Sequence, residues 1–362
     1  MKQTYLSLAV LLLLAGCADN DPETTNIPEN KSQSFTIRVG IDALSTTKSI
    51  INGTAFTAPA EVGVYVAQGS INDATGNKGV IGTPYSDPAN NVKFSLTGDE
   101  WTPNHQVSLS SATGTVYAYF PYNASATITK DNPTIPISIT TTGIITVSGG
   151  SGATSGVNNP GTLVSPVVAE TDYMYYDPTV NSGSVQPKAV VHNHSAVASL
   201  IMHHALAKVS FRVITNGSYS NGGAEGHLTK YVLADNASKN MIVTGGTLAM
   251  NLNDGTISKT SPVAGNITRE IQGYTLGTDV ASATIISNLA LPIINFASTD
   301  LKVVFTIDGT DYTTTLPTTA IHYWNAGSNY LYTVTLSGTD LDVAAVEIID
   351  WNNMDGGNIA IQ

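Results

Sequence analysis

The sequence predicts an all-β protein built of two β-sandwiches, and three observations carry that prediction. Charged residues make up only 12% of the chain, too few for long exposed helices or coiled coils, whose surfaces are dressed in Glu, Lys and Arg. Beyond the first residues no stretch sustains helical periodicity; the apolar residues instead fall in short runs, many of period two. Those runs are rich in Thr, Val, Ile and Tyr and are separated by Gly, Ser, Asn and Asp, which is strand and turn chemistry. At 362 residues the chain has room for two domains of ordinary size.

The start of the chain has the form of an export signal. Lys2 supplies the positive charge, and Leu6 to Ala15 is an apolar run too short for a membrane span of roughly 20 residues. Leu14-Ala15-Gly16-Cys17 closely resembles a bacterial lipobox, where the signal is cut before the cysteine and the cysteine is diacylated. The other reading is an ordinary signal peptide that ends near a cysteine. On the lipobox reading residues 1–16 are the signal, and two acyl chains on Cys17 make a stable anchor. Residues 17–34 are then a tether, being polar, acidic and Pro-containing with almost nothing to bury. Cys17 is the only cysteine, which excludes an intrachain disulfide or a multi-cysteine metal site.

From Phe35 the alternation begins. Phe35, Ile37, Val39 and Ile41 alternate with Thr36, Arg38, Gly40 and Asp42, a half-buried strand. Ser45-Thr46-Thr47-Lys48 is a polar break. Val62 to Val66, Val92 to Leu96, Val107 to Leu109 and Val116 to Phe120 read as further strands. Ala126 to Gly161, rich in Thr, Ser and Gly, reads as a long surface loop holding short strands. The polar stretch Asn181 to His194 marks a division into an N-terminal sandwich, residues 35–194, and a C-terminal one, residues 195–362. Within the second, Val209 to Val213, Leu228 to Leu233 and Ile242 to Leu248 read as strands, and Leu252 to Gly255 as a turn. Leu301 to Thr315 is a hairpin, because Asp308-Gly309 supplies the positive φ angles of a type I′ turn. Tyr330 to Leu336 and Leu341 to Ile349 are the last strong strands, and Gly357 to Gln362 is a weak one. Trp324 and Trp351 are expected in the core.

Candidate chemistry is sparse. Lys and Arg number 15 against 27 Asp and Glu, a formal charge of −12 with no basic stretch, so neither nucleic acid nor an anionic membrane surface is expected as a partner. In a strand His192 and His194 share a face and can point at one ion, with His203, His204 or His227 as a third ligand. The alternative is that these histidines flank a core strand and bond the backbone. His203 and His204 are adjacent, so in a strand they face opposite ways and cannot both serve. There is no Gly-x-Ser-x-Gly, no phosphate-cradling glycine loop and no His-Glu-x-x-His, so no enzymatic activity and no cofactor are expected. Asp172-Tyr173-Met174-Tyr175-Tyr176-Asp177 sets two carboxylates among aromatic rings. That is the make-up of a glycan platform, and equally of a sandwich strand.

Several segments together resemble the fimbrillin family of Bacteroides-type (type V) pili. They are the lipobox with its acidic tether, Phe35 to Ile41 followed by a basic residue, Glu61 to Val66, Val116 to Tyr122, Asp172 to Tyr175, His204 to Phe211, Trp324 to Gly327 through Leu336, and Val346 to Trp351. The resemblance implies two tandem transthyretin-like Greek-key β-sandwich domains and a structural role. In that family the subunit reaches the outer membrane as a lipoprotein, here through Cys17. A trypsin-like protease cuts after a basic residue following the first strand; the matching polar break holds Lys48, where the family typically has Arg. Loss of that strand opens a groove, which a neighbouring subunit fills with its C-terminal strands by sheet augmentation.

Carried over residue by residue, the displaced strand presents Phe35, Ile37, Val39 and Ile41, and the candidate donor plugs are Val343, Val346, Ile348, Ile359 and Ile361. The offset between Val343 and Val346 calls for a bulge, or for insertion of only part of the segment. The implied partners are other pilus subunits, the maturation protease and, through the lipid, the outer membrane. The implied role is a cell-surface fimbrial subunit supporting adhesion. The alternative is a non-polymerising surface lipoprotein of the same architecture that binds glycan or another ligand. A monomeric binder has no use for a detachable C-terminal strand, and that separates the two readings.

Overall fold

A computed structural model describes residues 33–41, 56–68, 85, 90–129, 131–148, 163–165, 167, 169–176, 189–217, 219, 226–236, 239–281, 283–316, 321–338 and 340–349. Every regular element among them is a strand. The first are β1 (Gln33–Ser34), β2 (Thr36–Ile41), β3 (Ala60–Gln68), β4 (Val92–Thr97), β5 (Glu100–Pro103), β6 (Ser108–Leu109) and β7 (Gly114–Phe120). Then come β8 (Thr134–Ile137), β9 (Thr142–Ser148), β10 (Leu163–Ser165), β11 (Met174–Tyr176), β12 (Val190–Val191) and β13 (Val197–His204). The rest are β14 (Ala207–Thr215), β15 (His227–Asp235), β16 (Val243–Asn251), β17 (Ile257–Ala264), β18 (Ile267–Thr275), β19 (Ile285–Ala290), β20 (Leu301–Ile307), β21 (Thr310–Thr315), β22 (Asn329–Ser337) and β23 (Asp340–Ile349).

An eight-stranded sheet runs β2-β13-β11-β7-β3-β4-β5, with β12 joined to β7. It curls, so that β5 at one end returns against β2 at the other. β3 and β7 are buried on both faces, which is why they read as continuous apolar runs rather than as alternation. One face contributes Val62, Val64, Val66, Val116 and Ala118 to a core shared with Phe35 and Ile37. The other face turns Tyr65, Tyr117 and Tyr119 into a larger core.

That larger core lies mainly between a six-stranded sheet, β10-β9-β18-β15-β20-β21, and a four-stranded one, β19-β14-β22-β23. Phe211 of β14 reaches across to Tyr231 of β15 and Phe305 of β20, with ring centroids 5.2 and 5.4 Å apart. This is sheet-on-sheet packing, with side chains of two inner faces interdigitating. Trp324 is fully buried in the same core and donates from Nε1 to the Tyr332 hydroxyl at 3.0 Å. The β20–β21 hairpin has the expected turn, Asp308 at φ 47° and Gly309 at φ 79°. A three-stranded sheet, β17-β16-β8, completes the second half.

One expectation is corrected by the pairing: among the described residues from Ala126 to Ser148 the short strands belong to the core and not to a surface loop. Ile128, Ile135, Ile137, Ile139, Ile145 and Val147 are buried; β8 pairs with β16, and β9 lies parallel to β18. Isoleucines 135, 137 and 139 keep period two inside a Thr- and Ser-rich composition, which disguised a core strand. β13 returns to the first sheet between β2 and β11, while β8 and β9 lie in sheets with strands of the second half.

Candidate functional site

The seat of the first strand is the candidate site. β2 is an end strand of its sheet and lies parallel to β13, with Ile37 opposite Ala198 and Val39 opposite Leu200. β1 makes a short antiparallel pair with β6. Between them the Phe35 amide donates to the Val107 carbonyl, and the Thr36 amide to the Ala196 carbonyl, both at 2.9 Å. The period-two pattern does what it requires: Phe35, Ile37 and Ile41 are buried, Val39 is half-buried, and Thr36 and Arg38 face solvent. The Phe35 ring stands edge-on to Phe94, 5.8 Å between centroids at 86°. Among the described residues β2 is hydrogen-bonded to one strand of its sheet only, β13, so no other ladder of the sheet depends on it. Its departure would uncover the β13 edge and a slot floored by Phe94 and Leu200. Lys48, the matching processing position, lies outside the described residues, as do Cys17, Trp351, Ile359 and Ile361.

β23 is the end strand of the four-stranded sheet, antiparallel to β22. Its register shifts between Thr333 and Val334: Thr333 faces Ala345 and Val334 faces Val343, leaving Ala344 as the extra residue. The shift is a β-bulge within this chain's own β22–β23 pair. It brings Val343 and Val346, both half-buried, against the larger core. Ile348 is 45% exposed, and the neighbouring Glu347 pairs with Arg212 at 2.9 Å. The chain thus carries an apolar strand at a sheet end near each of its two ends.

The histidines do not converge. The His192 backbone bonds Ser195, its Nδ1 accepts the His194 amide at 3.2 Å, and the two rings lie 6.0 Å apart. For His192 the backbone-bonding alternative describes what is seen. His203 and His204 do face opposite ways: His203 lies against Tyr175, while His204 is buried with its Nδ1 3.1 Å from Asp172. Among the described residues no group of three His, Cys, Asp or Glu side chains is placed to hold a metal ion. In the aromatic run Met174 and Tyr176 are core residues of β11, and Asp172 is buried; Asp177 lies outside the described residues.

Beside Asp172 lies a buried ionic cluster that sequence reasoning missed. Arg269, fully buried, donates to Glu170 at 2.7 Å and to the Thr140 and Thr268 carbonyls. Glu170 also accepts the Leu289 amide at 2.8 Å. Burial pushes the Glu170 carboxyl up, opposed by the Arg269 guanidinium. Burial also lowers the Lys208 ammonium to about 8, against the pull of Asp172 and Glu170. The segment entering β11 is thereby fastened to β14, β18 and β19, so the first sheet is tied to the sandwich beyond it. Nothing local in the sequence marks Lys208 or Arg269, because the carboxylates that make their burial tolerable come from a distant segment.

The comparisons follow the fold. A solved structure of a candidate cell adhesion protein from Bacteroides ovatus is similar with a TM-score of 0.56 at 16% identity, over 89% of this chain and 98% of that one. A candidate cell adhesion protein from Bacteroides uniformis gives 0.53 at 14%, over 88% and 99%. A fimbrial protein from Bacteroides vulgatus gives 0.52 at 15%, over 89% and 100%. Identities this low speak for the fold alone. No curated protein sequence matches the chain. A family profile described as fimbrillin-like matches residues 46–351. That span runs from the break after the first strand to the end of the last one and takes in most of the chain, so the chain belongs to the fimbrillin-like family.

Proposed function

We propose that this chain is a structural, non-enzymatic subunit of a fimbria, carried to the outer membrane as a lipoprotein on Cys17 and polymerised by strand exchange. The observation that carries the reading is the seat of residues 33–41: an end strand plugged by Phe35, Ile37 and Ile41, separable from the rest of its sheet. A trypsin-like protease cutting after Lys48 would disconnect that segment from β3. The cut strand is still held by its ladder and by three buried side chains, each worth about 1.5–3 kcal/mol on full burial. It therefore leaves slowly, and only where a competitor pairs the same edge. The competitor is the C-terminal segment of a neighbouring subunit, offering Val343, Val346, Ile348, Ile359 and Ile361. We place the first domain from β1 through β13 and the second from Leu206 onward, with β8 to β10 crossing to it. Adhesion is a property of the assembled fibre.

Limited trypsin treatment of the purified mature protein tests this. The expected result is SDS-resistant ladders from the native sequence. Lys48→Ala should remain monomeric, and deletion of the residues after Gly338 should stop growth. Ladders formed by Lys48→Ala with its N-terminal strand retained would overturn strand exchange. A monomer that never ladders would favour the non-polymerising ligand binder.

A further inference from the structure

The aromatic run of β11 has one member at the margin of the larger core rather than inside it. Tyr175 is half-buried and forms part of the wall of a cleft of about 600 Å³, whose other walls are the turn after β16 and the loop after β19. That volume lies in the range of small-ligand sites. We propose that this cleft binds an N-acetylated sugar residue of a surface glycan. The site is separate from the strand seat, and the inference holds whether or not the chain polymerises.

Both walls are fixed before any ligand arrives. The turn is locked by the Gly255 amide on the Asn251 carbonyl at 2.8 Å and by the Thr256 amide on Asp254 Oδ1 at 3.0 Å. Gly255, at φ +70°, lies directly on the Tyr175 ring; a Cβ there would fall 2.0 Å from Cε1. Only glycine lets the turn and the ring meet so closely. The facing loop is clamped by paired backbone bonds between Ile293 and Trp324, at 2.9 and 2.8 Å, and by the Phe296 amide on His322. Between those clamps Ile294 is 92% exposed, a large apolar side chain held out on a rigid backbone at the cleft. Preorganised walls lower the ordering cost of binding.

The chemistry of the lining selects the ligand class. Asp254 and Lys259 both line the cleft, so their charges cancel and a neutral ligand is favoured over an acidic or basic one. Asn240 and Asn295 offer amides that both donate and accept, as sugar hydroxyls require. Ile294 supplies apolar surface for an acetyl methyl group, with Tyr175 part of the same wall. A plain hexose has no methyl group to set against Ile294, and a purely apolar peptide would leave the amides unpaired.

Saturation-transfer NMR on the purified full chain tests the assignment, with N-acetylglucosamine and N-acetylgalactosamine as probes and glucose and galactose as controls. Both acetylated sugars should receive saturation, strongest at the acetyl methyl, and should bind at least about tenfold more tightly than the plain hexoses. Ile294→Asp and Asn295→Ala alter solvent-exposed residues and should leave the unfolding midpoint unchanged while weakening binding about tenfold each. No transfer to either acetylated sugar at about 10 mM would overturn the proposal. Equal binding of plain hexoses, or binding unchanged in both variants, would overturn it as well.

Discussion

Phe35→Ala isolates the hold on the first strand. Phe35 is 1% exposed and packs edge-on against Phe94. Truncating a buried phenylalanine costs about 3–5 kcal/mol. Here the lost contacts join an end segment to the rest of the fold, so on the strand-exchange reading the cost should appear first as easier local detachment of residues 33–41. At about 1.4 kcal/mol per tenfold, the amides of β2 that bond β13 should exchange hydrogen roughly 10²- to 4 × 10³-fold faster. Amides in the β15–β20 ladder, in the other core, should exchange at their native rate. Native-state hydrogen exchange read by mass spectrometry on uncut protein resolves the two regions. Unchanged exchange at β2 would show that Phe35 does not hold the strand. Equal acceleration in β15 and β20 would show that the strand cannot detach on its own, and the reasoning about its seat would fail.

Trp324→Ala should cost roughly 3–5 kcal/mol in urea melts, since it empties a filled site beside Phe296 and strips the Tyr332 hydroxyl of its donor; a loss under about 1 kcal/mol would contradict the packing described. Lys208 carries a pH signature. Its folded pKa, about 8, lies below its unfolded one, so its neutral form adds stability at high pH that is lost as pH falls through 8. From about pH 7.5 to about pH 9.5 the native protein should gain roughly 2 kcal/mol relative to Lys208→Met, read from paired urea melts. A constant difference across that window would mean that Lys208 is not held in a desolvated site. Cys17→Ala should leave an uncleaved or unlipidated precursor by mass spectrometry of membrane fractions, and an unmodified Cys17 in a membrane-bound mature chain would refute the anchor.

Local pattern carried the sequence reading wherever one face decides the structure. Phe35 to Ile41 and the Asp308-Gly309 turn were legible because each follows from side-chain alternation or turn geometry. What was illegible depends on partners far along the chain. The parallel pairing of β2 with β13 joins segments about 160 residues apart, and no local signal sets such a pairing. β18 was hidden because Arg269 occupies an inward position between Ile267 and Ile271, breaking an otherwise clean alternation. β17 is exposed along nearly its whole length and has no burial pattern to read. Tyr175 stood in a run that suggested a glycan platform, but the residues that make a cleft with it come from the turn at Asp254 and the loop at Ile294.

The most direct measurement is peptide-level mass spectrometry of the SDS-resistant ladders, combined with hydrogen exchange on the same material. Strand exchange predicts that peptides covering residues 33–41 are missing from assembled subunits while β13, Val197–His204, remains protected by an incoming strand. Residues 33–41 present in full stoichiometry, or a β13 left open to exchange within the fibre, would contradict it.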